Sequence, residues 1–456
     1  MADETRVDRP YPGLRPFEAW EGEIFFGREA HTDRLLEILR DRHFLAVIGP
    51  SGSGKSSLVR AGLLPALPLG AIGTGSDWRI ALLRPGNRPI RSLAKALLAP
   101  EVLGAELPGL TPALLEAELR ADAGSLARLA EGVRQRDPEA DFNLLVVVDQ
   151  FEELFTYAEA GSEQSDESEA FVTLLIRSTA DLTQRVFACL TMRTDFLGQC
   201  VRFLDLPEAI NHGQYLTPRM SRDQLHEAIR GPARLFGGDV DEGLIEELIN
   251  GVDGNPDQLP VLQHALARMW SAASRRDPGR PLIGRTDHDA IGGVGRALAQ
   301  HADQVFAQLD EPARAAAECL LRAVTATRDP RAPAAQIVRR PCSLRKIAQW
   351  SGLPPERFVP VLAAFTDEDV CFLVASGPHD DPETIIDISH EALIRQWSRL
   401  SAWTLNEAQR AIGFLRLGVM LGLFDRLLFE HLDGVGNFAD LVAAAEPRRH
   451  HRVRPL

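Results

Sequence analysis

The chain has 456 residues, of which 45% are hydrophobic, and a formal net charge of −14. That length allows about three domains of roughly 150 residues, and the apolar content supports sizeable cores, which excludes a disordered chain. The negative balance argues against a general nucleic-acid coat or a binder of anionic membranes, while leaving room for a local basic patch.

Residues 1–15 are polar and charged and lack the apolar centre of a secretory signal. Tyr11-Pro12-Gly13-Leu14-Arg15-Pro16 reads as an extended, proline-stiffened segment. It leads to Phe25-Phe26-Gly27-Arg28-Glu29 and a helix that carries Leu35, Leu36, Ile38 and Leu39 on a mostly apolar face. Phe44-Leu45-Ala46-Val47-Ile48 then reads as a buried strand. It runs into Gly49-Pro50-Ser51-Gly52-Ser53-Gly54-Lys55-Ser56, and Ser57 onward opens a second helix.

That eight-residue stretch is a complete phosphate-binding loop between strand and helix. Its glycines let the backbone wrap around phosphate oxygens, and the helix N-terminus adds N–H donors. Lys55 would reach the β- and γ-phosphates, and the Ser56 hydroxyl would be a Mg²⁺ ligand. The chain is therefore expected to bind a nucleoside triphosphate.

Residues 78–83 read as a second strand, and residues 89–136 as helices broken by Pro100, Pro108 and Pro112. Leu144-Leu145-Val146-Val147-Val148 is a strongly apolar strand ending in Asp149. The acidic, serine-rich residues 159–168 read as a solvated loop. A helix over 170–180 and a buried strand over 186–192 follow. Apolar strands alternating with helices predict an α/β P-loop NTPase fold with a parallel sheet covered on both faces.

In such a sheet, ligands lie beyond the carboxyl ends of the strands. Asp149 is placed there to hold Mg²⁺, and Glu152 or Glu153 in the following turn to orient or deprotonate an attacking water. An acidic surface turn is the plain alternative, which the upstream loop disfavours. Arg193 follows the strand ending Leu190-Thr191-Met192. If that strand neighbours the one ending in Asp149, its guanidinium is near a γ-phosphate.

After residue 221 the strand signal nearly vanishes. Helices are predicted over 223–236, 241–250 and 258–273, and Gly254-Asn255-Pro256 has a structural explanation as an N-cap followed by a first-turn proline. Residues 343–361 have a helix-turn-helix pattern with Gly352-Leu353-Pro354-Pro355 as the turn, and 372–376 with 384–388 read as a hairpin, giving a winged helix. His390 opens a further helix, where a structural role is the ordinary expectation. Residues 412–429 are apolar but carry Arg416, Asp425 and Arg426, which predicts a packed amphipathic helix rather than a membrane span. The five cysteines (Cys189, Cys200, Cys319, Cys342, Cys371) form no CxxC pair and no zinc-spaced cluster. Free thiols in a reducing cytoplasm are expected, with no metal beyond the nucleotide's Mg²⁺.

Several ordered motifs resemble the bacterial novel-STAND branch of signal-transduction NTPases, often joined to WD-repeat propellers. They are residues 11–17, Phe26-Gly27-Arg28-Glu29, the loop 49–56, Val148-Asp149-Gln150-Phe151-Glu152-Glu153-Leu154-Phe155, Thr191-Met192-Arg193-Thr194-Asp195-Phe196, Gly254-Asn255-Pro256 and residues 388–394. The resemblance implies that Phe26, Gly27 and Arg28 pack beside adenine and that Pro256 covers the base. It also implies that Arg193 is a sensor of nucleotide state and that His390 contacts the β-phosphate of ADP from a winged-helix domain. It implies an ATP/ADP switch with slow hydrolysis, opening and self-association, and a division into an N-terminal segment (1–24), P-loop domain (25–220), helical domain (221–295), winged helix (296–404) and C-terminal tail (405–456). Members commonly add an effector and a propeller; here the switch begins near Met1 and no WD or GH signature follows Trp403. A solitary switch, a partner of separately encoded modules and a shortened relative are the alternatives. An AAA+-like remodelling ATPase and a nucleotide-gated DNA-binding regulator are the rival readings. The second is disfavoured because residues 355–365 offer only Arg357 as a cation before Asp367, Glu368 and Asp369.

Overall fold

The computed structural model describes residues 7–136, 141–158, 162–252, 258–327 and 337–406. Within these, two compact units separate: residues 7–12, 16–259 and 273–284 form the first, and residues 13–15, 260–272 and 285–406 the second.

The first unit is built on a five-stranded sheet of β1 (Phe44–Gly49), β2 (Trp78–Leu83), β3 (Asn143–Val148), β4 (Val186–Arg193) and β5 (Gln214–Leu216). The order is β2-β3-β4-β1-β5 and every pairing is parallel. Chain order and spatial order thus part at β1: the chain leaves it for the far edge at β2, returns through β3 and β4, and crosses over to β5.

The central strands are apolar on both faces because both faces are covered. Ala46, Ile48, Val146, Val148, Ala188 and Leu190 pack into one core with the helices Pro89–Leu97, Pro112–Ala121, Ser125–Arg136 and Ser162–Thr179. Leu45, Val47, Leu145, Val147, Phe187 and Cys189 point the other way, against Leu35 and Leu39 of the helix Glu29–Arg42 and Leu58, Val59 and Leu63 after the loop. Alternation along each strand thus feeds two cores, which is why no polar face is visible in the sequence.

The run 159–168, expected as a loop, is helical from Ser162 onward, residues 159–161 lying outside the described set. Glu and Gln are good helix formers, and acidic side chains in a first turn suit the helix dipole. Beyond residue 221 the strand content also exceeds expectation. β6 (Asp239–Val240) pairs in parallel with β7 (Leu282–Ile283), and β8 (Thr325–Thr327) antiparallel with β9 (Ile337–Arg339). Pairings of two or three residues are too short to leave a periodic signal.

The second unit packs the helices Val294–Gln308, Glu311–Ala323, Leu344–Ser351, Val359–Phe365 and Glu391–Gln396 around Leu320, Phe358, Phe365, Phe372 and Trp397. Gly352 ends its helix in the left-handed conformation (φ 69°), a C-terminal stop that favours glycine. A three-stranded sheet orders β10 (Cys342–Ser343), β12 (Ile385–Ile388) and β11 (Leu373–Ala375), with the expected hairpin formed by the last two. In the same core His264 stacks on His301, their ring centroids 5.1 Å apart, and both rings lie against Phe372. The gly-asn-pro stretch with Pro256, and the segment 412–429, lie outside the described residues.

Candidate functional site

The loop between β1 and its helix brings residues 49–57 together at the carboxyl end of the sheet. Gly52 and Gly54 take φ of 76° and 86°, backbone that residues with a Cβ rarely adopt. Gly49 is constrained by space instead: a Cβ there would lie 2.7 Å from Ser53 Oγ. Lys55 Nζ, largely buried, donates to the carbonyls of Gly49 (3.0 Å) and Pro50 (2.9 Å), so the ammonium curls back over its own loop. Ser53 Oγ and Thr217 Oγ1 are buried beside the loop without a hydrogen-bond partner. Orphaned hydroxyls around a glycine cradle fit a polar, oxygen-rich ligand.

Directly across from Ser56 stands Asp149, buried at the end of β3. Ser56 Oγ donates to Asp149 Oδ1 at 2.7 Å, and Thr191 Oγ1 to the same oxygen at 2.6 Å. Arg60 donates to Asp149 Oδ2 at 3.0 Å. Burial pushes the Asp149 carboxyl up, but the charges of Arg60 and Arg84 and the hydroxyls of Thr191 and Ser56 outweigh it and hold the group below the usual carboxylate range. A hydroxyl and an ionised carboxylate sharing one point are the donor set of a hard divalent cation.

Arg193 ends β4, the strand lying between β1 and β3, in register with Gly49. The neighbour relation with the Asp149 strand on which its role depended therefore holds. Its guanidinium pairs with Asp195 Oδ2 at 2.6 Å. The two acidic candidates after Asp149 diverge. Glu152 Oε2 accepts from the Arg193 amide at 3.3 Å, whereas Glu153 Oε2 accepts from Gly86 N at 3.0 Å, in the loop after β2. Burial pushes the Glu152 carboxyl up, with Lys55 and Arg193 pulling it down and Asp149 pushing it further up.

Arg28 reaches the loop from the other side, donating to Ser53 O (3.2 Å) and Pro218 O (2.9 Å). Burial pulls its guanidinium down to about 10, against a raising influence from Tyr215. Gly27, with φ 81°, leaves no room for a side chain: a Cβ would meet Gln224 O at 2.4 Å. Gly231 is equally tight, its missing Cβ lying 2.7 Å from the Phe26 ring. Phe26, Gly27 and Arg28 are thus fixed between the loop and the helix Arg222–Leu235.

His390 belongs to the second unit, where it caps the helix Glu391–Gln396: its Nδ1 accepts the Ala392 amide at 3.1 Å. Sequence reasoning missed Arg60, Thr191, Thr217 and Gly231. Arg60 had a readable signal, since it lies one helical turn beyond Ser56 and so shares its face. The other three act through neighbours remote in sequence.

The sequence model of the family described as novel STAND NTPase 1 matches residues 10–418. No curated protein is similar enough in sequence to count as a relative. Among solved structures, the Aeropyrum pernix ORC2 protein in its ADPNP-ADP complexes is similar at 13% identity and a TM-score of 0.43, covering 83% of this chain and 95% of its own. The Aeropyrum pernix ORC1 protein in complex with DNA has 15% identity and a TM-score of 0.40, covering 84% and 96%. Cdc6p from Pyrobaculum aerophilum has 13% identity and a TM-score of 0.38, covering 83% and 93%.

Proposed function

The chain belongs to the novel STAND NTPase 1 family, and on that premise we propose that it is an ATP/ADP-operated switch whose first unit holds the nucleotide and whose second unit reads it. The observation that carries this reading is the meeting of Ser56 and Asp149 at 2.7 Å beneath the glycine loop, with the Arg193 strand inserted between their two strands.

In this reading the amides of residues 49–57 and the Lys55 ammonium hold the phosphates. Ser56 and Asp149 hold Mg²⁺, which when bound neutralises phosphate charge. Phe26, Gly27 and Arg28 line the base, with Pro256 over it. Glu152 takes the proton of the attacking water: of the two acidic candidates it is the one beside Arg193, and burial raises its basicity. Arg193 stabilises charge at the γ-phosphate. Residues 25–220 act as the nucleotide domain, 221–295 as a helical domain and 296–404 as a winged helix, whose expected order of helix, helix and hairpin matches the elements from Leu344 to Ile388.

His390 is assigned to the β-phosphate of ADP. Because Nδ1 accepts the Ala392 amide, the neutral ring carries its proton on Nε2, a donor suited to a phosphate oxygen. Exchange of ADP for ATP shifts the closed state to an open, self-associating one only as far as the two nucleotides differ in affinity for those states. Hydrolysis is then a slow reset in the cytoplasm. Among the described residues no helix is long and apolar enough to cross a membrane.

Identifying the co-purified nucleotide, and measuring mass in ADP and in a non-hydrolysable ATP analogue, tests the switch. Retained ADP, sluggish multiple turnover and a larger mass with the analogue are expected. Steady substrate-stimulated turnover with unchanged mass would favour a remodelling ATPase.

A further inference from the structure

The segment ahead of the glycine loop is fastened to the nucleotide site at several points, all within the first unit. The Tyr11 hydroxyl, fully buried, donates to the carbonyl of Ile229. The Phe17 amide donates to Ser57 Oγ at 3.2 Å, on the loop helix itself. Glu18 stands at the head of the 3-10 turn Ala19–Ile24, its amide bound by Glu21 Oε2 at 2.8 Å, which fixes where its own carboxylate begins. Gly22 lets that turn close on the loop helix, since a Cβ there would lie 3.2 Å from the Ala61 carbonyl.

From this anchored position Glu18 Oε1 takes the Arg60 guanidinium at 2.6 Å. The other end of the same guanidinium holds Asp149 Oδ2 at 3.0 Å. Arg60 and Glu18 are mostly shielded from solvent and Asp149 is buried, so the three form a chain of charges running from the N-terminal segment to the cation-holding carboxylate. Shielding strengthens the coupling along such a chain relative to an exposed ion pair.

We propose that Glu18, acting through Arg60, is a positioning residue for Asp149 that sets how well the site takes its divalent cation; this rests on the nucleotide reading above. Arg60 grips Oδ2 and so leaves Oδ1 turned toward Ser56 and Thr191. Glu18 shares the positive charge of Arg60, and by doing so keeps it from neutralising Asp149. Removing Glu18 leaves the guanidinium wholly to Asp149, where it competes with a cation. Removing Arg60 frees the carboxylate to rotate and makes Glu18 irrelevant to it. The N-terminal segment thereby gains a direct hold on metal loading, independent of the phosphate contacts.

The test uses the full chain and a fluorescent ADP analogue, with affinity measured in EDTA and through a Mg²⁺ titration for wild type, Glu18→Gln, Glu18→Asp, Arg60→Ala and Glu18→Gln/Arg60→Ala. Glu18→Gln is expected to raise the Mg²⁺ midpoint roughly threefold to tenfold. Affinity in EDTA should stay as in wild type. Glu18→Asp should restore much of the loss, and the Glu18 change should have no further effect in the Arg60→Ala background. An unaltered Mg²⁺ midpoint in Glu18→Gln would overturn the proposal. So would an equal loss with and without Mg²⁺, which marks a general loosening of the loop. Failure of wild type to bind the analogue at all would instead sink the nucleotide reading beneath it.

Discussion

Gly49 and Arg193 stand opposite each other in register, at the carboxyl ends of two adjacent parallel strands. The residue that opens the phosphate loop and the arginine proposed to sense its contents are therefore one hydrogen-bonded rung apart, about 4.8 Å by strand spacing.

Lys55→Ala should weaken nucleotide binding sharply. Loss of charged hydrogen bonds costs about 1.5–3 kcal/mol, on the order of tenfold to a hundredfold in affinity. Because Lys55 also ties the carbonyls of Gly49 and Pro50, the loop should loosen as well. Thermal melts with and without ADP check this: ligand raises the melting temperature of wild type by mass action, and at the same ADP concentration it should raise the variant's far less.

Glu152→Gln should slow hydrolysis on the order of a hundredfold or more while ADP affinity holds, as loss of a general base does. Glu153→Gln, altering a side chain bound to Gly86 N, should lower the rate far less. Burial raises the Glu152 carboxyl, and only its ionised form can accept the water's proton. The wild-type rate should accordingly fall with decreasing pH from a point above the ordinary carboxylate range, and that acid limb should vanish in Glu152→Gln. Single-turnover rates across pH separate the two residues.

His390→Asn should speed ADP release. Asparagine is itself a good N-cap, so the helix Glu391–Gln396 keeps its start while the imidazole N–H is lost. His390→Ala loses both and should also cost about 1 kcal/mol of stability. Stopped-flow release of a fluorescent ADP decides the matter: a wild-type off-rate in His390→Asn removes this side chain from the nucleotide's grip.

The second unit should lose stability in mild acid. Burial, reinforced by the charges of His301 and Arg268, keeps His264 well below its ordinary value. His301 is held to about 4 mainly by burial and by Arg268, with Asp367 pulling the other way. The unfolded chain takes up protons near pH 6.5 while the folded pair does not, so stability is full above 6.5 and drains as pH falls toward 4. Each pH unit in that window costs up to about 1.4 kcal/mol per histidine. Melts at pH 7 and pH 5 should differ more for wild type than for His264→Phe/His301→Gln; an equal drop in both would clear the pair of this role.

The loop, β1, β3 and β4 were readable because each is one contiguous run with a strong local signature. Asp149 and Ser56 were readable for the same reason, as residues fixed by their place in a strand and a loop. What could not be read was lateral order. Nothing in residues 186–193 says that this strand slots between β1 and β3, and the meaning of Arg193 hung on that fact. Glu18, Arg60 and Thr191 were hidden for the same cause, since their partners are chosen by packing across the chain. The acidic helix from Ser162 was misread because solvated loops and exposed helix starts share a composition.

Thr191 and Arg193 leave β4 on the same face, two residues and about 6–7 Å apart. One braces the carboxylate of Asp149 and the other reaches beyond the strand end, and β4 is locked on both flanks by parallel neighbours. The strand therefore ties the two side chains rigidly together, with no loop between the arginine and the hydroxyl that braces the aspartate.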